Sequence, residues 1–269
     1  MRSPLRALVR LLAYAGWTLA LLPAQVLAVA FGLRLAERIP QFYHRVCCRI
    51  IGLDVVCRGS ISRQRPSLFV ANHSSYLDIT VLGSLIPCSF IAKAEVASWP
   101  LFGLLAKLQR TVFVERRPSH TAQDRDEISR RLEAGDNLIL FPEGTSNDGN
   151  RVLPFKSALF GVAERRVRGA PLRVQPLSIA YVRLDGVPIG REWRVYYAWY
   201  GDMVMAPHIW NVLGLGRVTV EVRFHPPVTI AEMGSRKALS DHCQRLVARG
   251  VAEALLGPVK RPKLAVAGG

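Results

Sequence analysis

The sequence predicts an α/β protein with a central, largely parallel β-sheet flanked by helices, preceded by a membrane-associated segment. From about residue 55 onwards, short apolar runs alternate with helix-like patterns, which is typical of a sheet covered by helices. The first four runs are too apolar to have one solvent-exposed face, as expected for strands buried on both faces of a parallel sheet. The N-terminal segment is predicted separately, from a long uncharged stretch.

Residues 11–33 contain no charged side chain, and this length suffices for a single transmembrane helix. However, Pro23 lies in the middle of the stretch, where it removes a backbone donor and kinks or breaks a helix. Arginines flank both ends, so both ends are expected on the cytosolic side. We therefore expect a helical hairpin that dips into one leaflet. A single transmembrane helix and a cleaved signal peptide remain open alternatives.

The chain is expected to divide into three parts. Residues 1–52 form the membrane anchor and an amphipathic interfacial helix at 38–51, residues 53–257 form the main domain, and residues 258–269 form a disordered basic tail. Strands are predicted at 67–71, 88–92, 111–115, 137–141, 174–182, 193–199 and 217–224. Helices are predicted at 75–86, 94–108, 119–134, 155–166 and 236–256.

The composition restricts the possible partners. The 36 Lys and Arg residues against 20 Asp and Glu give a formal charge of +16, which attracts polyanions. An apolar anchor beside a basic body favours an anionic membrane surface. No nucleic acid partner is expected, because no nucleic-acid-binding motif is present. The five cysteines lack metal-ligand spacing and are expected to be reduced thiols in a protein that faces the cytosol.

The first candidate site follows the predicted strand 67–71, in the stretch "ANHSSYLD". His73 ends the strand and Asp78 lies in the first turn of the next helix, where the helix dipole favours a carboxylate. A carboxylate on one imidazole nitrogen leaves the other nitrogen free to take a proton. The nearby serines are interpreted as helix caps, so the nucleophile would be a substrate hydroxyl or a water. Alternatively, Ser75 and Asp78 form a simple capping pair and His73 is an ordinary loop residue.

The second candidate site follows the predicted strand 137–141, in the stretch "FPEGT". Because the carboxyl ends of parallel strands meet at one edge, Glu143, Gly144 and Thr145 are expected near His73. The alternative is a proline-glycine turn with an exposed glutamate. Several cations accompany these motifs and together suggest a phosphate site, although each alone is typical of a solvated surface: Lys93, Arg116, Arg117, Arg151 and Lys156.

These motifs resemble those of the membrane-bound glycerolipid acyltransferases related to 1-acylglycerol-3-phosphate acyltransferase. "NHSSYLD" resembles the N-H-x4-D motif of that family, and "FPEGT" matches its third motif. "TVFVERR" resembles the second motif, and "VQPLSI" is a looser version of the fourth that keeps Pro176. The resemblance spans about residues 40–230, in the order and spacing of the family. It departs at 110–111, where a glycine is common.

The resemblance implies acyl transfer from acyl-CoA or acyl carrier protein to the hydroxyl of 1-acyl-sn-glycerol-3-phosphate, which gives phosphatidic acid. His73 would be the general base and Asp78 would orient it. The substrate-binding residues would be Lys93, Arg116, Glu143, Gly144, Thr145 and Lys156. The family needs no cofactor and no metal. The expected location is the cell inner membrane, with the active site facing the cytoplasm.

Three alternatives remain. The first keeps the chemistry but has lyso-ornithine lipid as the acceptor, since "FPEGTSNDGNRVLPFKSALF" and "WPLFGLLAKLQRTVFVERR" resemble bacterial members of that branch. This acceptor has no glycerol phosphate, so it would depend less on Arg116. The second is a membrane lipid hydrolase in which His73 activates water. The third is a basic membrane adaptor without catalytic activity.

Overall fold

The computed structural model of the chain describes residues 2–115 and 121–257, with only the backbone for 121–125. Arg116 and the predicted tail at 258–269 lie outside the described residues. The strands are β1 Leu53–Arg58, β2 Ser67–Ala71, β3 Ser89–Lys93, β4 Val112–Val114, β5 Leu138–Leu140, β6 Arg166–Val167, β7 Ala170–Pro171, β8 Arg173–Leu184, β9 Val187–Pro188 and β10 Val218–Phe224. The α-helices are α1 Pro4–Ala30, α2 Leu35–Ile51, α3 Leu77–Leu85, α4 Phe102–Leu108, α5 Thr121–Glu133, α6 Met205–Gly214, α7 Ile230–Met233 and α8 Arg236–Leu256, and short 3-10 helices lie at Ala94–Ser98, Ser157–Glu164 and Arg191–Tyr196.

The main sheet has the strand order β1-β10-β8-β2-β5-β3-β4, with β9 paired to β8. The five strands from β8 to β4 are parallel to one another, whereas β10 is antiparallel to β8. The predicted largely parallel sheet flanked by helices is thereby confirmed. A separate pair, β6 and β7, forms a small antiparallel hairpin.

Helices cover both faces of the sheet. Successive residues of β2 point to opposite faces, and both faces are buried: Phe69 belongs to one apolar cluster and Leu68 to the other. The first cluster includes residues of α1, α2, α3 and α6, and the second includes residues of α5, α8 and the 3-10 helix at Ser157–Glu164. The continuous apolar runs of the sequence thus follow from burial on both sides.

The first helix is continuous through Pro23, so the predicted break there is wrong. The chain turns back at 31–34 instead, and α2 packs against α1. Pro23 lies on the exposed face of α1, while Gln25 and Ala28 on the other face are buried. Because packing holds this face, the loss of one backbone hydrogen bond does not end the helix. By length and composition alone, α1 is long and apolar enough to cross a membrane.

The predicted amphipathic helix at 38–51 corresponds to α2. Its buried residues recur at helical spacing along one face: Ala36, Pro40, His44, Cys47, Cys48 and Ile51. This face contacts α1 and α3, so it packs against protein.

Three other elements differ from the sequence prediction. The segment predicted as a strand at 193–199 overlaps the 3-10 helix Arg191–Tyr196. Its aromatic residues pack on the sheet, where Tyr197 stacks on Tyr181 at 5.7 Å between ring centroids. The helix predicted at 94–108 is divided into a 3-10 helix and α4, and the one predicted at 155–166 is a 3-10 helix. The division into domains at residues 52 and 257 stays a prediction.

Candidate active site

The two sequence motifs meet at the carboxyl edge of the parallel strands. His73 follows β2, and Phe141 follows the neighbouring strand β5. The imidazole of His73 stacks on the ring of Phe141, with 4.1 Å between centroids and an interplanar angle of 20°. Phe141 in turn stacks on Phe90 of β3. The parallel pairing therefore brings together residues that lie about 70 positions apart in the sequence.

The central feature of the edge is the pair formed by His73 and Asp78. His73 Nδ1 lies 3.0 Å from Asp78 Oδ2, and the Asp78 side chain is fully buried. Since the carboxylate accepts the hydrogen bond, Nδ1 carries the hydrogen and Nε2 holds a lone pair. Among residues 2–115 and 121–257, Nε2 has no hydrogen-bond partner. The ring retains 22% of its exposure and can therefore be reached by a ligand.

Asp78 is held by three further donors. The backbone N–H groups of Ser74 and Ser75 donate to Oδ2 at 2.7 and 2.9 Å, and the Tyr181 hydroxyl donates to Oδ1 at 2.8 Å. The serines thus shape the turn through their backbone N–H groups, and Ser75 also acts through its side chain, since its Oγ accepts a hydrogen bond from the Leu77 N–H at 3.3 Å at the start of α3. With both oxygens engaged, Asp78 fixes the tautomer and the orientation of His73.

Glu143 is buried beneath the loop that carries His73. Its Oε1 accepts a hydrogen bond from the His73 backbone N–H at 2.8 Å, and its Oε2 accepts from Asn147 Nδ2 at 2.6 Å and from the Leu153 N–H at 3.0 Å. Burial raises the pKa of the Glu143 carboxyl to about 7, while these hydrogen bonds oppose the rise. The geometry therefore makes Glu143 a support for the His73 backbone, with only 2% of the residue exposed.

Asn147 completes this support. Its side-chain amide donates to the carbonyl oxygen of His73 at 3.1 Å as well as to Glu143, and its backbone N–H donates to the same carbonyl at 3.2 Å. Both backbone groups of His73 are consequently held by residues that follow β5. Asn147 was not among the predicted site residues, although it lies only two residues beyond the motif "FPEGT".

A cavity of about 660 Å³ opens at this edge. His73, Gly144, Thr145 and Lys93 line it, so the structure brings together four of the predicted site residues. Gly144 has a φ of +73°, which suits glycine in the turn after Pro142. The remaining wall is mainly apolar and comes from α1, α2, β3, the segment at 94–99, α4, the end of β5 and the segment at 199–205. Its apolar and aromatic residues include Tyr14, Leu21, Leu22, Ile39, Phe90, Ile91, Val96, Trp99, Phe102, Leu105, Phe141, Trp199 and Met205.

Among the predicted site residues that the structure describes, Asp78, Glu143 and Lys156 do not line this cavity. The Lys156 side chain is exposed and is absent from the cavity wall, while its backbone N–H donates to the carbonyl of Pro142 at 2.9 Å. Lys93 does line the cavity and forms an ion pair with Glu95 at 3.4 Å. The cationic site expected around Arg116 lies outside the described residues.

Tyr181 is a second site residue that was not predicted from the sequence. It lies on β8, 103 residues from Asp78, at a buried position of a strand that reads as ordinary core. The one sequence feature that could have indicated Tyr181 is its hydroxyl group, because a buried tyrosine hydroxyl usually has a hydrogen-bond partner.

Comparison with known proteins agrees with these motifs. The family model described as Acyltransferase matches residues 53–180. The chain is 44% identical to a lyso-ornithine lipid O-acyltransferase of Brucella abortus, over 89% of this chain and 91% of that protein. It is 43% identical to a protein of the same name from Rhizobium meliloti, over 83% and 78% of the two chains. A 1-acyl-sn-glycerol-3-phosphate acyltransferase of Neisseria gonorrhoeae is 32% identical, over 76% of each chain.

The fold is also found in a solved structure. The crystal structure of the 1-acyl-sn-glycerophosphate (LPA) acyltransferase, PlsC, from Thermotoga maritima matches with a TM-score of 0.64 and 23% identity, covering 95% of this chain and 100% of that chain. This likeness confirms the fold, and the sequence relatives confirm the family that the motifs indicated. The chain therefore belongs to the acyltransferase family and is an acyl-transfer enzyme.

Proposed function

We propose that this protein is a lyso-ornithine lipid O-acyltransferase, which transfers a fatty acyl group from acyl-CoA or acyl carrier protein to the hydroxyl of lyso-ornithine lipid. Relatives with this name reach 43–44% identity, whereas those named for 1-acylglycerol-3-phosphate reach 32%. The comparison thus favours the alternative acceptor of the sequence analysis over the glycerol phosphate acceptor expected first. The latter remains the second candidate, because its relatives also cover 76% of the chain.

The observation that carries the chemistry is the His73–Asp78 pair at the cavity. His73 Nε2 takes the proton of the acceptor hydroxyl, and the hydroxyl oxygen attacks the thioester carbonyl carbon. The tetrahedral intermediate then collapses, its carbon–sulfur bond breaks, and the leaving thiolate receives the proton from His73. Asp78 keeps the imidazole oriented and stabilises its charged form. General-base help of this kind accounts for a factor of about 10²–10⁴ in rate.

The cavity supports an acyl substrate. Its wall is apolar over most of its extent, it begins at His73, and its volume of about 660 Å³ is in the ordinary range for small-molecule sites. An acyl chain buried there would be held next to the base, and its confinement would favour reaction through proximity. The base and the chain-binding wall are therefore parts of one site.

The N-terminal helices support action at a membrane surface. Arg10 donates to the carbonyl of Leu215 at 2.8 Å, and Gln25 donates to the carbonyl of Leu108 at 2.6 Å. These two positions of α1 lie roughly 22 Å apart along the helix axis. Since both contact the main domain, α1 lies along that domain, as a helix that leaves it to cross a bilayer would not.

The outer face of α1 is apolar. Four exposed residues recur every seven positions and so share one side of the helix: Leu5, Leu12, Leu19 and Val26. We propose that this side enters one leaflet of the inner membrane from the cytoplasm, aided by the charge of +16 on an anionic surface.

The test is an acyl-transfer assay on membranes that contain the protein, with lyso-ornithine lipid and 1-acylglycerol-3-phosphate supplied separately. Acyl-CoA and acyl carrier protein serve as alternative donors, and His73→Ala is the control. We expect ornithine lipid that is absent from the variant. Product from 1-acylglycerol-3-phosphate alone would transfer the assignment to the second candidate.

Two further outcomes are informative. Free fatty acid without any acylated acceptor would indicate the hydrolase alternative, and no His73-dependent product would indicate the adaptor. The predicted substrate-binding role of Arg116 is tested in the same assay: Arg116→Ala should be much milder than His73→Ala with an acceptor that lacks a glycerol phosphate.

A further inference from the structure

A basic surface adjoins the loop of His73 outside the apolar cavity. It is formed by the loop at 148–151 and the 3-10 helix Arg191–Tyr196, and none of these residues lines the cavity. We call it the arginine surface, after the three guanidinium groups that it carries, those of Arg151, Arg191 and Arg194. Its position beside the catalytic pair, on a different side from the cavity, raises the question of which part of a substrate it contacts.

The loop that carries Arg151 is attached to His73. Asn147 donates to the His73 carbonyl through its backbone N–H at 3.2 Å and its side-chain amide at 3.1 Å, and its Oδ1 accepts from the Gly149 N–H at 2.8 Å. A Cβ atom on Gly149 would lie 3.6 Å from the Cβ of Ser74, so the loop passes directly over the residue after His73. Because Arg151 follows Asn147 by four residues, their Cα atoms lie within roughly 14 Å of each other.

Asn150 joins this loop to the 3-10 helix. Its Oδ1 accepts a hydrogen bond from Arg194 Nη1 at 2.5 Å, and its Nδ2 donates to the carbonyl of Arg191 at 3.5 Å. Arg194 also donates from Nη2 to the carbonyl of Ile189 at 3.2 Å, which fixes its guanidinium group. Arg151, the next residue after Asn150, therefore lies beside the start of the helix that carries Arg191.

The guanidinium groups of Arg151 and Arg191 are open to a ligand. Both residues are exposed, and neither side chain has a hydrogen-bond or ion-pair partner among residues 2–115 and 121–257. Although burial raises the pKa of the Asp148 carboxyl, hydrogen bonds from Asn150 and the charges of Arg151 and Arg191 lower it. With Glu192, the two segments hold two carboxylates against three arginines. Unpaired guanidinium groups on a net positive surface are suited to a phosphate, which they bind through charge-assisted hydrogen bonds.

The two thioester donors of the proposed reaction share one phosphate. Acyl-CoA and acyl carrier protein both hold the acyl group on a pantetheine arm, and a phosphate group is attached to the far end of that arm. With the acyl chain in the cavity and the thioester at His73, the arm must leave over the edge of the sheet. We propose that Arg151 and Arg191 bind the phosphate group at the end of the pantetheine arm of the acyl donor. This inference rests on the proposed acyltransferase function.

Shortened donors isolate the contribution of this phosphate. Palmitoyl-pantetheine and palmitoyl-4′-phosphopantetheine differ only in the phosphate group, and transfer from each is measured with the acceptor that the enzyme uses. We expect the wild type to use the phosphorylated donor with about fivefold to tenfold higher kcat/KM, through a lower KM for the donor. This factor is modest because ion pairs at exposed positions contribute little individually.

Three variants connect the preference to the arginine surface. Arg151→Gln and Arg191→Gln should each lower the ratio of the two kcat/KM values about twofold to threefold, and the double variant should bring it close to one. Arg249→Gln is the matched control, since Arg249 is an exposed arginine on α8, which packs on the other face of the sheet. It should leave the ratio as in the wild type. Because the ratio is measured within each variant, partial loss of folded protein does not affect it.

The full-length donors then show which source supplies the phosphate. KM is measured for palmitoyl-CoA and for palmitoyl-acyl carrier protein with the wild type and the double variant. A rise in KM for one donor alone assigns the arginine surface to that donor, and a rise for both assigns it to the group that they share. Either result is expected under the proposal.

Other results would overturn it. Equal use of the two shortened donors by the wild type would show that the phosphate is not bound, and a preference that persists in the double variant would exclude Arg151 and Arg191. An unchanged donor ratio with a higher KM for 1-acylglycerol-3-phosphate would assign the surface to an acceptor phosphate, and weaker vesicle binding alone would assign it to anionic lipid. Absence of transfer from every donor would instead contradict the proposed function.

Discussion

At the carboxyl edge of the sheet the polar groups around His73 are hydrogen-bonded to one another, whereas the outer face of α1 exposes leucine and valine side chains. The edge is built from contacts that fix one imidazole in one orientation. The helix is joined to the main domain by polar contacts at Arg6, Arg10 and Gln25 and has an apolar side that remains uncovered. The edge of the sheet therefore holds a catalytic side chain in one orientation, whereas the outer face of α1 is suited to burial in a lipid bilayer.

This difference implies that the two regions can be impaired separately. Changes at the edge should alter the turnover number and leave membrane attachment intact. Changes on the outer face of α1 should weaken membrane attachment. They should leave the turnover number intact when the reaction is measured with detergent-dispersed substrate.

The largest effect is expected from His73→Ala. Loss of the base should lower kcat by about 10²–10⁴, because the acceptor hydroxyl then has no group to take its proton. Binding of the purified protein to vesicles that contain anionic lipid should remain as in the wild type. A variant that retains more than a tenth of the wild-type kcat would contradict the role of His73 as base.

The second effect is expected from the double change Leu12→Glu and Leu19→Glu on α1. These side chains are 63% and 67% exposed, so the folded domain should tolerate the change. Each leucine lost from an apolar environment costs about 1.5–3 kcal/mol, so vesicle partitioning should fall by about 10²-fold or more. Activity toward detergent-dispersed substrate should change little.

Leu256→Glu provides the matched control for α1. Leu256 is 88% exposed and ends α8, which lies on the opposite face of the sheet. It should leave vesicle partitioning unaltered. Equal losses from the changes on α1 and α8 would show that α1 has no special part in membrane binding.

Glu143→Gln distinguishes support from substrate binding. The amide has one oxygen instead of two, so at least one of the donors from His73, Asn147 and Leu153 loses its acceptor. Hydrogen bonds to a charged group contribute about 1.5–3 kcal/mol, so kcat should fall about tenfold to a hundredfold. If Glu143 held the acceptor instead, KM for the acceptor would rise by this factor and kcat would change less.

Asn147→Ala should reproduce the effect of Glu143→Gln more weakly. It removes the donor that joins the His73 carbonyl to Glu143 but leaves the carboxylate in place. A kcat reduced by about tenfold with an unchanged KM for the acceptor is the expected result. An effect on KM alone would assign Asn147 to substrate binding.

Contacts between residues close in the sequence could be predicted here, whereas contacts between residues far apart in the sequence could not. His73 and Asp78 lie five residues apart across a strand-to-helix turn, so their pairing could be proposed from the sequence, although the spacing alone left the capping alternative open. Asn147 and Tyr181 reach the same loop from 74 and 103 residues away, and no local pattern predicts such contacts. The strand order of the sheet creates them.

The errors of the sequence prediction have a related cause. The rule that proline breaks a helix is local, and at Pro23 the packing of α1 against α2 and the main domain overrides it. At 193–199, the run of aromatic and aliphatic residues favours a strand, but the segment packs on the sheet and its first part belongs to the 3-10 helix Arg191–Tyr196. Both are cases in which tertiary packing outweighs local preference.

The smallest effect, and the sharpest control, concerns two stacked tyrosines. The Tyr181 hydroxyl donates to Asp78, whereas that of Tyr197 is buried without a partner among the described residues, and the two rings stack at 5.7 Å. Tyr181→Phe removes one of four hydrogen bonds to the carboxylate and should lower kcat about threefold to tenfold, through a less firmly held His73. Tyr197→Phe removes a hydroxyl of the same size from the adjacent ring and should leave kcat unchanged. Equal effects of the two substitutions would mean that ring packing, and not the hydrogen bond to Asp78, is the contribution of Tyr181, and the network around His73 would then end at the backbone of Ser74 and Ser75.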